Sequence, residues 1–105
     1  MTETFMFVPD LAGLLGEIPD DSIISRTFFQ DEGYKAIVFG FAPSQELSEH
    51  TAARPAILHI LEGEATLTLG DESHEVSSGA WVHMPAHLAH SVYAKTKVAM
   101  LLLLL

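Results

Sequence analysis

The feature that most narrows the fold is a cadence: short apolar runs recur along the chain, and turn residues break them every eight to twelve positions. Ile23–Gln30 and Tyr34–Ala42 are β-rich, split by the hairpin signal Asp31-Glu32-Gly33, and Pro43 ends the second. A polar strand is expected over Glu46–Thr51. An almost wholly apolar one follows over Ala56–Leu61, as suits a strand covered on both faces. Glu62-Gly63 marks a bend or bulge, after which Thr66 and Thr68 alternate with Ala65, Leu67 and Leu69. Ser73–Val76, the Trp81 strand, Leu88–Ala94 and Val98 onward bring the total to eight or nine strands. Helix is confined to one short N-terminal stretch, with Asp10 as cap, Leu11, Leu14 and Leu15 as its apolar face, and Gly16 and Pro19 as its stop. The expected architecture is all-β, a sandwich or barrel.

At 105 residues the chain is expected to form one domain, long enough to enclose one core. Its 14 acidic residues against five basic ones give a net charge of −9. Nucleic acids and anionic membranes reward the opposite sign, so neither is an expected partner. With no cysteine, thiolate catalysis, Cys-bound zinc and disulfides are excluded. The opening Met1–Asp10 has neither a basic region nor a long apolar run, so no signal peptide is expected and a cytoplasmic location is. The closing V-A-M-L-L-L-L-L is about half the length of a membrane helix. It reads as a doubly buried strand that a sheet or a second subunit must cover, and with Ile23–Gln30 it supplies more hydrophobic edge than one small barrel hides. A homodimer is therefore expected.

The stretch richest in chemistry is Gly79–His90. Ala80, Val82 and Met84 alternate with Trp81 and His83, Pro85 turns the chain, and His83, His87 and His90 fall within eight residues. Here the chain resembles a small single-domain bacterial cupin, a jelly-roll barrel of RmlC type. The second cupin motif reads G, five residues, P, one, G, two, H, three, N. Gly79, Pro85 and His90 match it, while His87 and Ala94 stand at the second glycine and the asparagine. The first motif reads G, five, H, one, H, three or four, E, six, G. His50 and Gly63 match, while Ser44, Ala52 and Ala56 stand at its first glycine, second histidine and glutamate. The resemblance covers Ile37–Leu105, with residues 1–22 as an N-terminal arm of a single cupin domain spanning 1–105.

A cupin centre is a divalent metal, often Fe, Mn, Ni or Zn, held by three histidines and a glutamate. The resemblance carries over only His50 and His90. Two further imidazoles are candidates to complete the set. His59 interrupts the apolar run A-I-L-H-I-L, where it is either a ligand or a hydrogen-bonded core or interface residue. His83 alternates with Val82 and Met84 on the strand before the proline turn. The expected metal-ligand set is therefore His50, His59, His83 and His90, an all-imidazole cluster suited to Zn, Cu, Ni or Fe(II). His87 is expected at the rim and His74, in D-E-S-H-E, at the surface. Arg54 is either a surface residue or a clamp for a substrate carboxylate. Trp81, Tyr93, Phe39 and Phe41 are expected in the core or cavity wall. Two functions follow. One is a divalent-metal-dependent enzyme on a small molecule, of dioxygenase, isomerase or lyase type. The other is a metal-free barrel that binds a sugar or organic acid without catalysis. No catalytic residue is assigned and no other cofactor is expected.

Overall fold

The computed structural model describes residues 4–105; Met1, Thr2 and Glu3, part of the N-terminal stretch read above, lie outside it. Nine strands follow an N-terminal arm: β1 (Ile23–Gln30), β2 (Lys35–Phe41), β3 (Glu46–His50), β4 (Ala56–Glu62), β5 (Glu64–Leu69), β6 (Glu72–Ser77), β7 (Trp81–Met84), β8 (His90–Ala94) and β9 (Val98–Leu104). They form two antiparallel sheets, one ordered β1-β2-β9-β4-β7 and the other β3-β8-β5-β6. The two inner faces enclose one core, and the architecture is the all-β jelly roll expected from the cadence of the sequence.

Period-two alternation decides which side chains enter that core. From β4 come Ala56, Leu58 and Ile60, from β5 Ala65 and Leu67, from β7 Met84, from β8 Val92 and Ala94, and from β9 Val98 and Met100. Burying each of the larger ones contributes about 1.5–3 kcal/mol. The leucine-rich tail, read as a doubly buried strand, lies as β9 between β2 and β4, so its edges are paired on both sides. Its exposed potential is on a face and not an edge: Leu102 and Leu104 pack on the core, while Leu101 and Leu103 line an apolar groove with Leu11, Phe28 and Ala36 on the outside of the larger sheet.

Two turns explain how the chain changes direction. At the β1–β2 hairpin the Asp31 carboxylate accepts hydrogen bonds from the Gly33 and Tyr34 amides at 2.7 and 3.1 Å. Gly63 carries the chain from the larger sheet into the smaller, with φ of +92°, and a Cβ there would sit 2.1 Å from the Lys97 carbonyl oxygen. No other residue fits that position without displacing backbone. The expected capped helix is a single 3-10 turn, Ala12–Leu15, with Leu11 at its N-cap and no side-chain cap bond, so Asp10 does not act as its cap. Ile18 and Leu15 instead pack over Gly40, laying the arm on the outer face of β2.

Candidate functional site

At one end of the barrel β3 lies beside β8. Glu46 pairs with Tyr93 and Leu47 with Val92, yet the next pairing is His50 with His90. Three steps along β3 thus match two along β8, which is a bulge of one residue. By simple alternation His50 shares a face with the exposed Glu46 and Ser48; the surplus residue turns it to the side of Leu47. His90 points inward with Val92 and Ala94 and is only 6% exposed, the sole buried polar side chain among the described residues. The two rings meet with centroids 4.2 Å apart at an interplanar angle of 57°.

Each imidazole is held in the same way. His50 Nδ1 lies 2.8 Å from the Ser48 carbonyl oxygen and His90 Nδ1 lies 2.9 Å from that of Leu88. A carbonyl only accepts, so both Nδ1 atoms carry the proton and donate it. Both Nε2 atoms are left with a free lone pair, the arrangement in which an imidazole takes a proton, a hydroxyl hydrogen or a metal ion. The loop and turn around the pair are tied together, with the His87 amide donating to the Ala52 carbonyl at 2.8 Å and the Gly70 amide to that of Ala89 at 2.7 Å.

The other two expected ligands do not join this pair. His59 sits on β4 between Leu58 and Ile60, which face the core, so the pleat sends it to the outer face. His83 lies between Val82 and Met84 on β7 and faces outward for the same reason, beside the 60% exposed Trp81 in the strand. His59 is paired in register with Trp81, and His83 with Ile57. The expected convergence of four imidazoles is thereby reduced to two, because a strand that buries its neighbours at i−1 and i+1 cannot also bury residue i on that side.

At the remaining positions of the first cupin motif stand Ala52 and Ala56, neither able to coordinate. Ala56 is buried against the core and paired with Met84 and Leu104. Among the described residues no group of three or more His, Cys, Asp or Glu side chains is placed to hold a metal ion. A first-row divalent metal in a catalytic site takes at least three protein ligands. The donor set of this barrel therefore falls short of a cupin metal centre.

Arg54 is exposed; it donates from Nε to the Leu105 main-chain oxygen and from a terminal nitrogen to the Gly33 carbonyl, so its guanidinium ties the residue after β9 to the β1–β2 turn. Of the aromatic residues expected in the core or cavity wall, Phe41 is fully buried, Phe39 packs against the core and Trp81, though exposed, lines a cavity; Tyr93 is exposed on the outer face of the smaller sheet. His87 has a φ of +70°, the left-handed conformation that a glycine adopts without cost. That is the position at which the second cupin motif has its glycine. His74 is exposed, as expected of a surface residue, and it also lines a cavity between β6 and β7, on the same side of β6 as Val76, whose side chain packs against the core.

The fold and the paired imidazoles at the barrel end define a jelly-roll protein of the cupin class. The cupin domain family matches residues 37–105, and the chain belongs to that family. Among solved structures it is similar to a cupin superfamily protein from Desulfitobacterium hafniense, at 26% identity over 98% of this chain and 93% of that one, with a TM-score of 0.85. It is also similar to a conserved protein of unknown function from Streptococcus pyogenes, at 30% identity over 98% and 90% of the two chains and a TM-score of 0.83. An RmlC-like cupin from Shewanella frigidimarina, 18% identical over 98% and 90% with a TM-score of 0.78, shares the fold. Among curated proteins none matches this chain. Among the described residues no helix is long and apolar enough to cross a membrane.

Proposed function

We propose that this protein is a small-molecule-binding cupin that holds a hydroxyl-rich ligand, a sugar or hydroxy acid, at His50 and His90 without a resident metal. One observation carries the reading: both Nδ1 atoms are committed to backbone carbonyls, which leaves two adjacent Nε2 acceptors at the barrel end. Two neutral acceptors side by side suit vicinal hydroxyl groups, each of which has a hydrogen to give. Ala52 and Ala56 remove the ligands that would fix a metal and leave the imidazoles to the ligand itself. Isothermal titration in the presence of a chelator, with a panel of neutral sugars and hydroxy acids, tests this. At least one compound binds the unmodified protein, and His90→Ala weakens it tenfold or more. Binding that vanishes on chelation and returns with a divalent ion counts against it.

The competing reading is a divalent-metal-dependent enzyme of dioxygenase, isomerase or lyase type. It is favoured by the ring orientation, since a histidine that ligates through Nε2 commonly donates Nδ1–H to a carbonyl. Elemental analysis of untagged protein distinguishes the two. A metal content near one per chain that His90→Ala abolishes supports the enzyme, and a trace content after loading with Fe, Mn, Ni and Zn supports the binding protein.

We further infer that the protein works as a homodimer, in the cytoplasm, with the outer face of the larger sheet between the subunits. The support is the groove of about 390 Å³ lined by Leu11, Phe28, Tyr34, Leu101 and Leu103 on that face. A self-complementary apolar face is hidden most simply by a second copy of itself.

A further inference from the structure

The larger and smaller sheets each end in an unpaired strand on the same side of the barrel, β7 and β6. Between them opens a slot of about 400 Å³, walled by Leu58, Leu67, Leu69, Val76 and Val82. Trp81 and His74 stand at its mouth; His50 and His90 do not line it. A volume in this range, apolar inside with a few polar groups at the opening, is that of a small-ligand site.

The charges around the slot narrow the ligand. No lysine or arginine is among the residues that line it, so an anion would enter without a counter-charge. Glu75 also lines the slot, but its carboxylate is already engaged, accepting from Thr66 at 3.0 Å and pairing with Lys95. Glu72 lies on the inner-facing side of β6 with His74, its carboxylate 3.5 Å from His74 Nε2. A carboxylate beside Nε2 favours the tautomer protonated there, which leaves His74 Nδ1 as an acceptor at the mouth. The exposed indole of Trp81, the chain's only tryptophan, offers a flat surface for a ring.

We infer that the β6–β7 slot binds a neutral, planar aromatic molecule bearing one hydroxyl, a phenol in chemical class, with its ring between the apolar walls and its hydroxyl donating to His74. The inference is independent of the role proposed for His50 and His90.

The test follows Trp81 fluorescence during titration with p-cresol, in chelator, with 4-methylbenzoate as a matched anion of the same shape. p-Cresol changes the emission saturably and the benzoate does not. Val76→Phe, which fills the slot, abolishes the response while the thermal unfolding transition persists. Should that variant fail to fold, Ala80→Leu, at another lining residue, takes its place. His74→Ala weakens p-cresol about fivefold, the loss of one hydrogen bond, and His50→Ala leaves it unchanged. The proposal is overturned by a linear, unsaturable response, by equal binding of the benzoate, or by an unaltered response in the filled variants. It is also overturned if His50→Ala removes binding, which would put the ring at the histidine pair.

Discussion

The two sheets share one inner face and differ in the outer one. Outside the smaller sheet, polar side chains satisfy one another: Thr66 donates to Glu75, Thr68 and Ser73 hydroxyls lie 3.0 Å apart, and Lys95 pairs with Glu75. Outside the larger sheet the register lays out two rows across β7, β4 and β9, Trp81–His59–Leu101 and His83–Ile57–Leu103. A surface of the first kind is finished in water. One of the second kind is finished only by something laid on it, and the N-terminal arm covers part of it, over β1 and β2. The same contrast sorts four of the histidines: on β3 and β8 of the smaller sheet His50 and His90 share a face and meet, and on the larger sheet His59 and His83 face out.

The most damaging way to break this division is at the residue that carries the chain from one sheet to the other. Gly63→Ala combines a positive φ with a backbone clash and is expected to destabilise by about 3–4 kcal/mol. Thermal unfolding reads this as a fall of about 15–20 °C. Next in size is a charge placed on each outer face. Leu101→Asp is expected to weaken the proposed dimer about a hundredfold, as measured by light scattering over a dilution series. Thr68→Asp on the other sheet leaves the association unchanged; equal effects would remove the argument for a preferred face.

Comparing inner and outer histidines sharpens the picture at smaller scale. His90→Ala leaves the Leu88 carbonyl without its partner in a buried setting and is expected to cost about 1–3 kcal/mol. His59→Ala, on the outer face, stays within about 0.5 kcal/mol, in urea titrations of both variants. The smallest effect belongs to the polar face. The Lys95 hydrogen bond, with Thr66 adding to it, holds the Glu75 carboxyl below its ordinary value. A carboxyl whose pKa is lowered on folding adds stability above its unfolded pKa, and that contribution is lost as pH falls through the folded one. Lys95→Met is therefore expected to lower the melting temperature slightly near neutrality and not at all once the pH has fallen below the lowered folded value, where both states are protonated. The site is exposed, so a shift of more than a few degrees would contradict this account.

Much of the fold was legible because it depends on local pattern. Val82 and Met84 announce their strand by alternation and Ala56–Leu61 announces its own as an apolar run, while Gly63 and Pro43 mark places where strands stop. The candidate site was legible only in part. His90 follows the parity of Leu88 and Val92 and was correctly aimed. His59 and His83 were assigned to the barrel interior by residue type, against the parity of their own neighbours, and the pleat overrode the chemistry. His50 was the converse case: its parity pointed outward, and only the pairing with β8 reveals the surplus residue that reverses it. A bulge is a relation between two strands, and no single strand's sequence contains it. The slot beside β6 is not legible because β6 and β7, neighbours in the chain, belong to different sheets, a partition that only the strand pairing shows.

That one-residue offset in β3 has a consequence for how such a barrel changes over time. Deleting Glu49 would leave both imidazoles and their carbonyl partners in the chain, yet swing His50 outward and dissolve the partnership. Spacing, more than residue identity, governs whether this end of the molecule has two imidazoles that touch, so the loss of one residue within β3 is enough to switch it off.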